Sequence, residues 1–332
     1  MLLRGALVVL GLSLLVSQGA LAQRSRERPA TIPGGGRSPD GRPDLQGVWN
    51  YSTATPLQRF EEFADRPFIS DEEAARWVAN MLETRSADIR NKNPVADLGR
   101  EANQFWFEQP TQMAKVDRRV MTSLVVDPPN GRVPVLPDVA KGPPTNLRAD
   151  NPEERMLSER CLVHPAGPPM VGGGPGAYVQ IVQTADYVML YPELANTARI
   201  IPTRKREHLA GDMRQWRGDS IGGWEGDTFV VETMNFRTGS GLRGFGVGPG
   251  MGVVTGPDFH LTERFSLAAP DALLYEFTVT NPKVFSQPWT ARAPMARSND
   301  RMFETACHEG NYGLEFILRG ARAEEKERQP QE

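Results

Sequence analysis

Two predicted strands carry carboxylates within rows of apolar side chains. The rows are Val230, Glu232, Met234, Phe236 and Leu261, Glu263, Phe265, Leu267. Successive side chains of a strand point to opposite faces, so we expect each carboxylate on the face that its neighbours take into a core or cavity. Burial would raise the pKa of such a carboxyl toward neutrality, which suits acid–base work. The commoner alternative is a structural ion pair with an arginine such as Arg199, Arg237 or Arg264.

The segment from Cys307 to Tyr312 brings together a thiol, an imidazole, a carboxylate and a phenol. We predict that it follows a last strand, and that His308 joins Glu232, Glu263 and His260 in one cavity. In a catalytic version of this site, Arg264 or Tyr312 would stabilise a developing oxyanion. The alternative for the segment is a polar turn held by a disulfide.

Other motifs give weaker signals. Residues 239–244 match the pattern G-x-G-x-x-G, but the chain continues with Gly and Pro residues that cannot begin the helix a dinucleotide site needs. We therefore interpret residues 239–252 as a loop near the mouth of the cavity. None of the four histidines has a close metal-ligand spacing, and we assign no metal and no cofactor.

The alternation of apolar and polar residues predicts many short strands in the second half of the chain. They cover residues 178–184, 187–191, 198–201, 223–225, 228–236, 260–267, 273–280 and 302–307. Turn residues separate them, with no room for the helices of an α/β fold. The prediction is a mainly β protein, an antiparallel meander closed as a barrel. Ser70 and Glu73 predict the start of a helix within a helical or irregular insertion, residues 51–160.

Residues 1–22 have the basic start, apolar stretch and small cleavage residues of a secretory signal. We predict a flexible lead-in at residues 23–44, a single barrel domain at 45–325, and a disordered tail at 326–332. The expected compartment is the periplasm or the exterior, with no membrane span after signal removal. The net charge of −3, without a basic cluster interleaved with aromatics, argues against a nucleic-acid partner. The sequence does not give the oligomeric state.

The chain contains two cysteines, Cys161 and Cys307. In an oxidising compartment they are expected to form a disulfide, and the alternative is two separate buried thiols.

The segment Gly47-Val48-Trp49 resembles the G-x-W signature of the calycin superfamily, the lipocalins and their relatives. The resemblance implies a calycin-like barrel in which an arginine from the end of the chain, Arg319 or Arg322, covers Trp49. Further segments, among them residues 216–220, 224–228, 260–265 and 307–312, resemble an uncharacterised family of secreted bacterial proteins over nearly the whole mature chain. That family implies no activity.

The sequence therefore supports two hypotheses, one for a binding protein and one for an enzyme. The first is a barrel that binds a small, partly apolar organic molecule, with Glu232, Glu263, His260 and His308 as polar anchors. The second is a cofactor-free acid–base enzyme, a lyase, isomerase or hydrolase, acting in the same cavity. A structural or interaction role is the remaining alternative.

Overall fold

The computed structural model describes residues 36–85, 109–140, 149–155, 157–162, 167–171, 176–194, 198–204, 206–238, 241–242, 253–254 and 256–328. Strands dominate these ranges. They are β1 (Gly47–Asn50), β2 (Phe68–Ile69), β3 (Lys115–Val116), β4 (Arg119–Met121), β5 (Val125–Asp127), β6 (Tyr178–Gln183), β7 (Tyr187–Pro192), β8 (Arg199–Pro202), β9 (Asp219–Glu225), β10 (Thr228–Met234), β11 (Gly241–Leu242), β12 (Val253–Val254), β13 (His260–Ala269), β14 (Ala272–Thr280) and β15 (Trp289–Ser298). The described α-helices are Asp71–Arg85, Pro137–Ala140 and Gly313–Arg328, and short 3-10 turns lie at Glu61–Phe63 and Pro152–Glu154.

Ten strands form one antiparallel sheet. Its order is β8-β7-β6-β1-β15-β14-β13-β10-β9, and β5 pairs with β15 beside this path. The edge strands β8 and β9 lie against each other, so the sheet is a nearly closed antiparallel barrel. The prediction of a mainly β barrel is confirmed. We use the term seam for the place where β8 meets β9.

The predicted strands agree with the observed ones from β6 to β10 and again at β13 and β14. The strand predicted at residues 302–307 is wrong, since residues 299–306 have no regular structure and Cys307 begins a turn. The strand that completes the barrel is β15, which the sequence analysis did not predict.

Aromatic side chains fill the interior of the barrel. Eight of them are at most 1% exposed: Trp49, Trp289, Tyr275, Phe229, Phe236, Phe259, Phe265 and Phe277. Neighbouring rings touch along the sheet, with centroids 4.9 Å apart for Phe265 and Tyr275 and 5.5 Å apart for Tyr275 and Phe277. This part of the interior is therefore a packed core that leaves no room for a ligand.

Trp49 is buried at one end of the barrel beneath an arginine. The guanidinium carbon of Arg297 lies 4.2 Å from the centre of the Trp49 ring, and Arg297 Nη1 donates a hydrogen bond to the carbonyl of Gln46 at 2.6 Å. Gly47 has a φ of +137°, and a Cβ at this position would collide with the same guanidinium. The arginine that covers Trp49 is thus Arg297 of β15, and not Arg319 or Arg322 as expected.

The insertion after β1 builds a second, smaller core. The helix Asp71–Arg85 begins after Ser70, whose hydroxyl accepts a hydrogen bond from the Glu73 amide at 3.2 Å, as predicted. The apolar face of the helix packs with Phe63, Met113 and Val120 beside the three-stranded sheet of β2, β4 and β3.

The structure describes part of the predicted lead-in and part of the predicted tail. Residues 36–44 of the lead-in are held in place, because Gln183 donates to the carbonyl of Pro43 and Arg37 pairs with Asp227. Residues 326–328 of the predicted tail belong to the helix Gly313–Arg328, and the rest of that tail lies outside the described residues. Residues 1–22, the predicted signal, lie outside the described residues.

Cys161 and Cys307 form a disulfide, with Cα atoms 5.7 Å apart. It fastens the segment before the helix Gly313–Arg328 to residues 157–162. No helix among the described residues is long and apolar enough to cross a membrane.

Candidate functional site

The predicted cavity does not bring its four residues together. Glu263 points into the barrel and is fully buried, between Leu261 and Phe265 on the inward row of β13. Glu232 and His260 are exposed on the outer face. The prediction of a shared cavity is wrong for both, because the inward residues of β10 are Phe229, Val231 and Thr233. Both faces of β10 are largely apolar, so alternation alone did not identify the inner one.

The other three predicted site residues also lie elsewhere. Arg264, one position after Glu263, points outward and pairs with Glu225 at 2.6 Å. Tyr312 is 63% exposed just before the helix Gly313–Arg328. His308 is exposed in the turn after Cys307 and lines a separate cavity of about 420 Å³ beside the disulfide, together with Glu159, Arg160, Asn311, Leu314, Glu315 and Leu318. The structure thus leaves Glu263 as the one member of the predicted set inside the barrel.

Glu263 forms an ion pair with Arg199 across the inside of the barrel. Arg199 Nη1 donates to Glu263 Oε1 at 3.0 Å, and Arg199 Nη2 donates to Glu263 Oε2 at 2.6 Å. Arg199 Nη2 also donates to the hydroxyls of Ser220 and Thr233, at 3.0 and 3.1 Å. The arginine comes from β8, at one side of the seam, and its partners come from β9, β10 and β13. This network therefore ties the two edges of the sheet together.

Tyr275 completes the network on the other side of the carboxylate. Its hydroxyl donates a hydrogen bond to Glu263 Oε1 at 2.8 Å and accepts one from the amide of Met170 at 3.1 Å. Burial, followed by the neighbouring Glu263 carboxylate, raises the pKa of Tyr275 well above its ordinary value. The phenol therefore stays protonated, and both oxygens of Glu263 are engaged. Glu263 is accordingly a structural anchor, the alternative stated from the sequence, and not an accessible base.

A cavity of about 510 Å³ opens at the seam. We call it the seam cavity. Its lining consists of Leu162, Ala198, Arg199, Ile200, Arg206, Arg214, Gln215, Trp216, Arg217, Gly218, Asp219, Ser220 and Arg237. Five of these residues are arginines, and Asp219 is the single acidic one.

Asp219 organises the segment in front of β9. Its carboxylate accepts hydrogen bonds from Arg206 Nη2 at 2.6 Å, from the Leu209 amide at 2.9 Å and from His208 Nδ1 at 3.0 Å. Burial alone would raise the pKa of Asp219, but the bonds from Arg206, the Leu209 amide and His208 outweigh it and lower the pKa below its ordinary value. The carboxylate is therefore charged at neutral pH and fixes Arg206 at the cavity wall.

Arg217 differs from the other arginines of this site. The residue is half-buried, yet its Nε and Nη1 atoms are buried and have no hydrogen-bond partner among the described residues. Burial, with the nearby charge of Arg199, lowers the pKa of Arg217 to about 10, so the side chain is still a cation at neutral pH. Gly218 follows with a φ of +70°, and a Cβ there would lie 2.7 Å from the carbonyl oxygen of Met234. This turn sets Arg217 against the barrel edge.

Trp216, Arg217 and Asp219 are not among the site residues predicted from the sequence. Their segment was noticed only as part of the resemblance. The available signal was a glycine between an arginine and an aspartate at the start of a strand, which indicates a tight turn that places charged side chains. The glycine-rich loop predicted at the cavity mouth, residues 239–252, lies mostly outside the described residues.

Within the described ranges, no group of three or more His, Cys, Asp or Glu side chains is arranged to hold a metal ion. Compared with models of known protein families and with curated proteins, the chain matches none of them.

Proposed function

We propose that the protein binds a small, partly apolar organic molecule, and that the seam cavity is its binding site. The volume of about 510 Å³ falls within the range of small-molecule sites, roughly 300 to 1,000 Å³. Trp216, Leu162 and Ile200 supply apolar surface, and the arginines supply polar groups that fix orientation. This site replaces the one expected around Glu232 and His260.

One observation carries the proposal: Arg217 lines the cavity, and its buried Nε and Nη1 atoms have no acceptors among the described residues. Buried polar groups in folded proteins are nearly always hydrogen-bonded, and an exception calls for an explanation. A ligand that supplies the acceptors is such an explanation.

The disulfide between Cys161 and Cys307 supports a location in the periplasm or outside the cell, because disulfides persist in oxidising compartments. We also propose that the barrel is calycin-like. The packing of Arg297 over Trp49 beside Gly47 supports this relationship.

Native mass spectrometry of the chain purified from its own host tests the proposed function. We expect a small-molecule adduct on the wild-type protein. Ala198→Trp should remove it, because Ala198 lines the cavity and an indole would occupy the space. Ala323→Trp is the matched control, since Ala323 is exposed on the helix Gly313–Arg328.

Two results would contradict different parts of the proposal. An adduct that survives in Ala198→Trp would place the ligand elsewhere and contradict the assigned site. A wild-type chain without any adduct would contradict ligand retention itself.

A further inference from the structure

The lining of the seam cavity carries an excess of positive charge. Arg206 is paired with Asp219, and Arg199 is paired with Glu263 behind the wall. Arg214, Arg217 and Arg237 add three further guanidinium groups, and the lining contains no second carboxylate. A concave wall with this charge concentrates anions and disfavours cations.

Two arginines of the same wall show how a structural role differs from a binding role. Both terminal nitrogens of Arg199 are bonded, to Glu263, Ser220 and Thr233, and its Nε alone has no acceptor among the described residues. Arg217, by contrast, keeps Nε and Nη1 buried without acceptors among the described residues. Burying a cation without an opposite charge is costly, and the cost falls when an anion approaches. Nε and Nη1 lie on different edges of the guanidinium, so a group that presents two oxygens side by side would engage one of them together with Nη2.

The cavity lining also indicates which uncharged groups an anionic ligand would contain. Trp216 is half-buried in the lining, and the guanidinium carbon of Arg237 lies 4.6 Å from the centre of its ring. Leu162 and Ile200 add apolar surface to the same wall. A flat or apolar organic group would therefore find surface to cover beside the arginines.

We infer that the ligand of the seam cavity is an organic oxyanion, a small molecule whose carboxylate, phosphate or sulfonate group binds at Arg217. This inference rests on the proposed function and narrows it to a chemical class. The three anionic groups share the geometry that Arg217 would recognise, and the experiment distinguishes them.

Isothermal titration calorimetry of the full mature chain with four matched probes tests the inference. The probes are benzoate, benzenesulfonate, phenyl phosphate and neutral benzamide, which share one ring. At least one anionic probe should bind about 10-fold or more tightly than benzamide, a difference of about 1.4 kcal/mol. Added salt should weaken the binding of the anionic probe and leave the binding of benzamide unchanged.

Two variants assign the effect to Arg217. Arg217→Gln should abolish the preference for the anion, and Arg217→Lys should restore part of it, because lysine keeps the charge but not the fork. Arg204→Gln is the matched control, since it removes the same charge from an exposed pair with Asp186 outside the cavity. A circular dichroism melt of each variant shows that it is folded.

The results separate this inference from the proposed function. If benzamide and the anionic probes bind equally well, the inference that the ligand is an oxyanion is overturned, and the proposed small-molecule binding still holds. An unchanged preference in Arg217→Gln, or an equal loss in Arg204→Gln, would overturn the assignment to Arg217. If no anionic probe binds while the native adduct is present, the ligand is not an oxyanion of this kind.

Discussion

Replacing Glu263 with glutamine tests whether this carboxylate is a structural partner or an accessible base. The substitution keeps the volume of the side chain and removes its charge. Arg199, whose side chain is 6% exposed, would then be a cation without an anionic partner inside the barrel. We expect the variant to fold less stably, because a charge left unpaired in the interior loses its compensation.

The contacts set the size of the effect. Breaking a buried ion pair by removing one partner costs about 3 to 5 kcal/mol. Glutamine still offers one carbonyl oxygen, and the hydroxyls of Ser220 and Thr233 continue to accept from Arg199. We therefore expect a loss toward the lower end, about 3 kcal/mol.

Equilibrium unfolding in urea measures this loss. The matched control is Glu225→Gln, which breaks the pair between Glu225 and Arg264 on the outer face. Because this pair is exposed, its loss should reduce the free energy of unfolding by only about 0 to 1 kcal/mol. The double variant Arg199→Met/Glu263→Gln should regain most of the stability that Glu263→Gln loses, because it also removes the cation that Glu263 neutralises. If Glu263→Gln unfolds with the same free energy as the wild type, the structural interpretation of the pair is wrong.

Three further changes have expected outcomes. In urea unfolding without ligand, Arg217→Met should stabilise the fold, by up to the roughly 1 to 3 kcal/mol that unsatisfied buried polar groups cost; a large loss would mean that Arg217 has structural acceptors. Because the folded pKa of Asp219 lies below its unfolded value of about 3.9, its contribution to stability is present above that pH and is lost as the pH falls through the folded pKa. Asp219→Asn should therefore flatten the acid limb of a plot of unfolding free energy against pH, and an unchanged limb would refute the assigned bonds. Trp49→Ala should cost about 3 to 5 kcal/mol by leaving a cavity under Arg297, and an unchanged melting temperature would remove Trp49 from the core.

The sequence predicted the barrel because most of its strands alternate clearly. The strand that was not predicted, β15, shows where alternation fails as a signal. Its inward row includes Ala291 and Ala293, which give a weak apolar signal. Pro294 lies in the middle of the strand sequence. Proline in a central strand argues against the assignment. Here it lies where the neighbour of β15 changes from β5, opposite residues 290–291, to β1, opposite residues 296–298.

The candidate site was harder to predict for a different reason. Alternation identifies pairs of faces but not which face is inside, so Glu232 was placed with Glu263 although the barrel separates them. The seam cavity depends on β8 closing against β9, which brings residues 198–200 next to residues 214–220. No local pattern contains that contact, whereas the Cys161–Cys307 pair was predicted because the chain has no other cysteine.

Anomalous diffraction from crystals of the protein with 4-bromobenzoate tests the central claim most directly. The bromine marks the position of the ring, and the carboxylate is the group that Arg217 would hold. We predict a single strong bromine peak in the seam cavity near Trp216, with the carboxylate within hydrogen-bond distance of the Arg217 guanidinium. A peak in the cavity beside His308, or none in the seam cavity at a ligand concentration that saturates binding in solution, would contradict the assignment of this site.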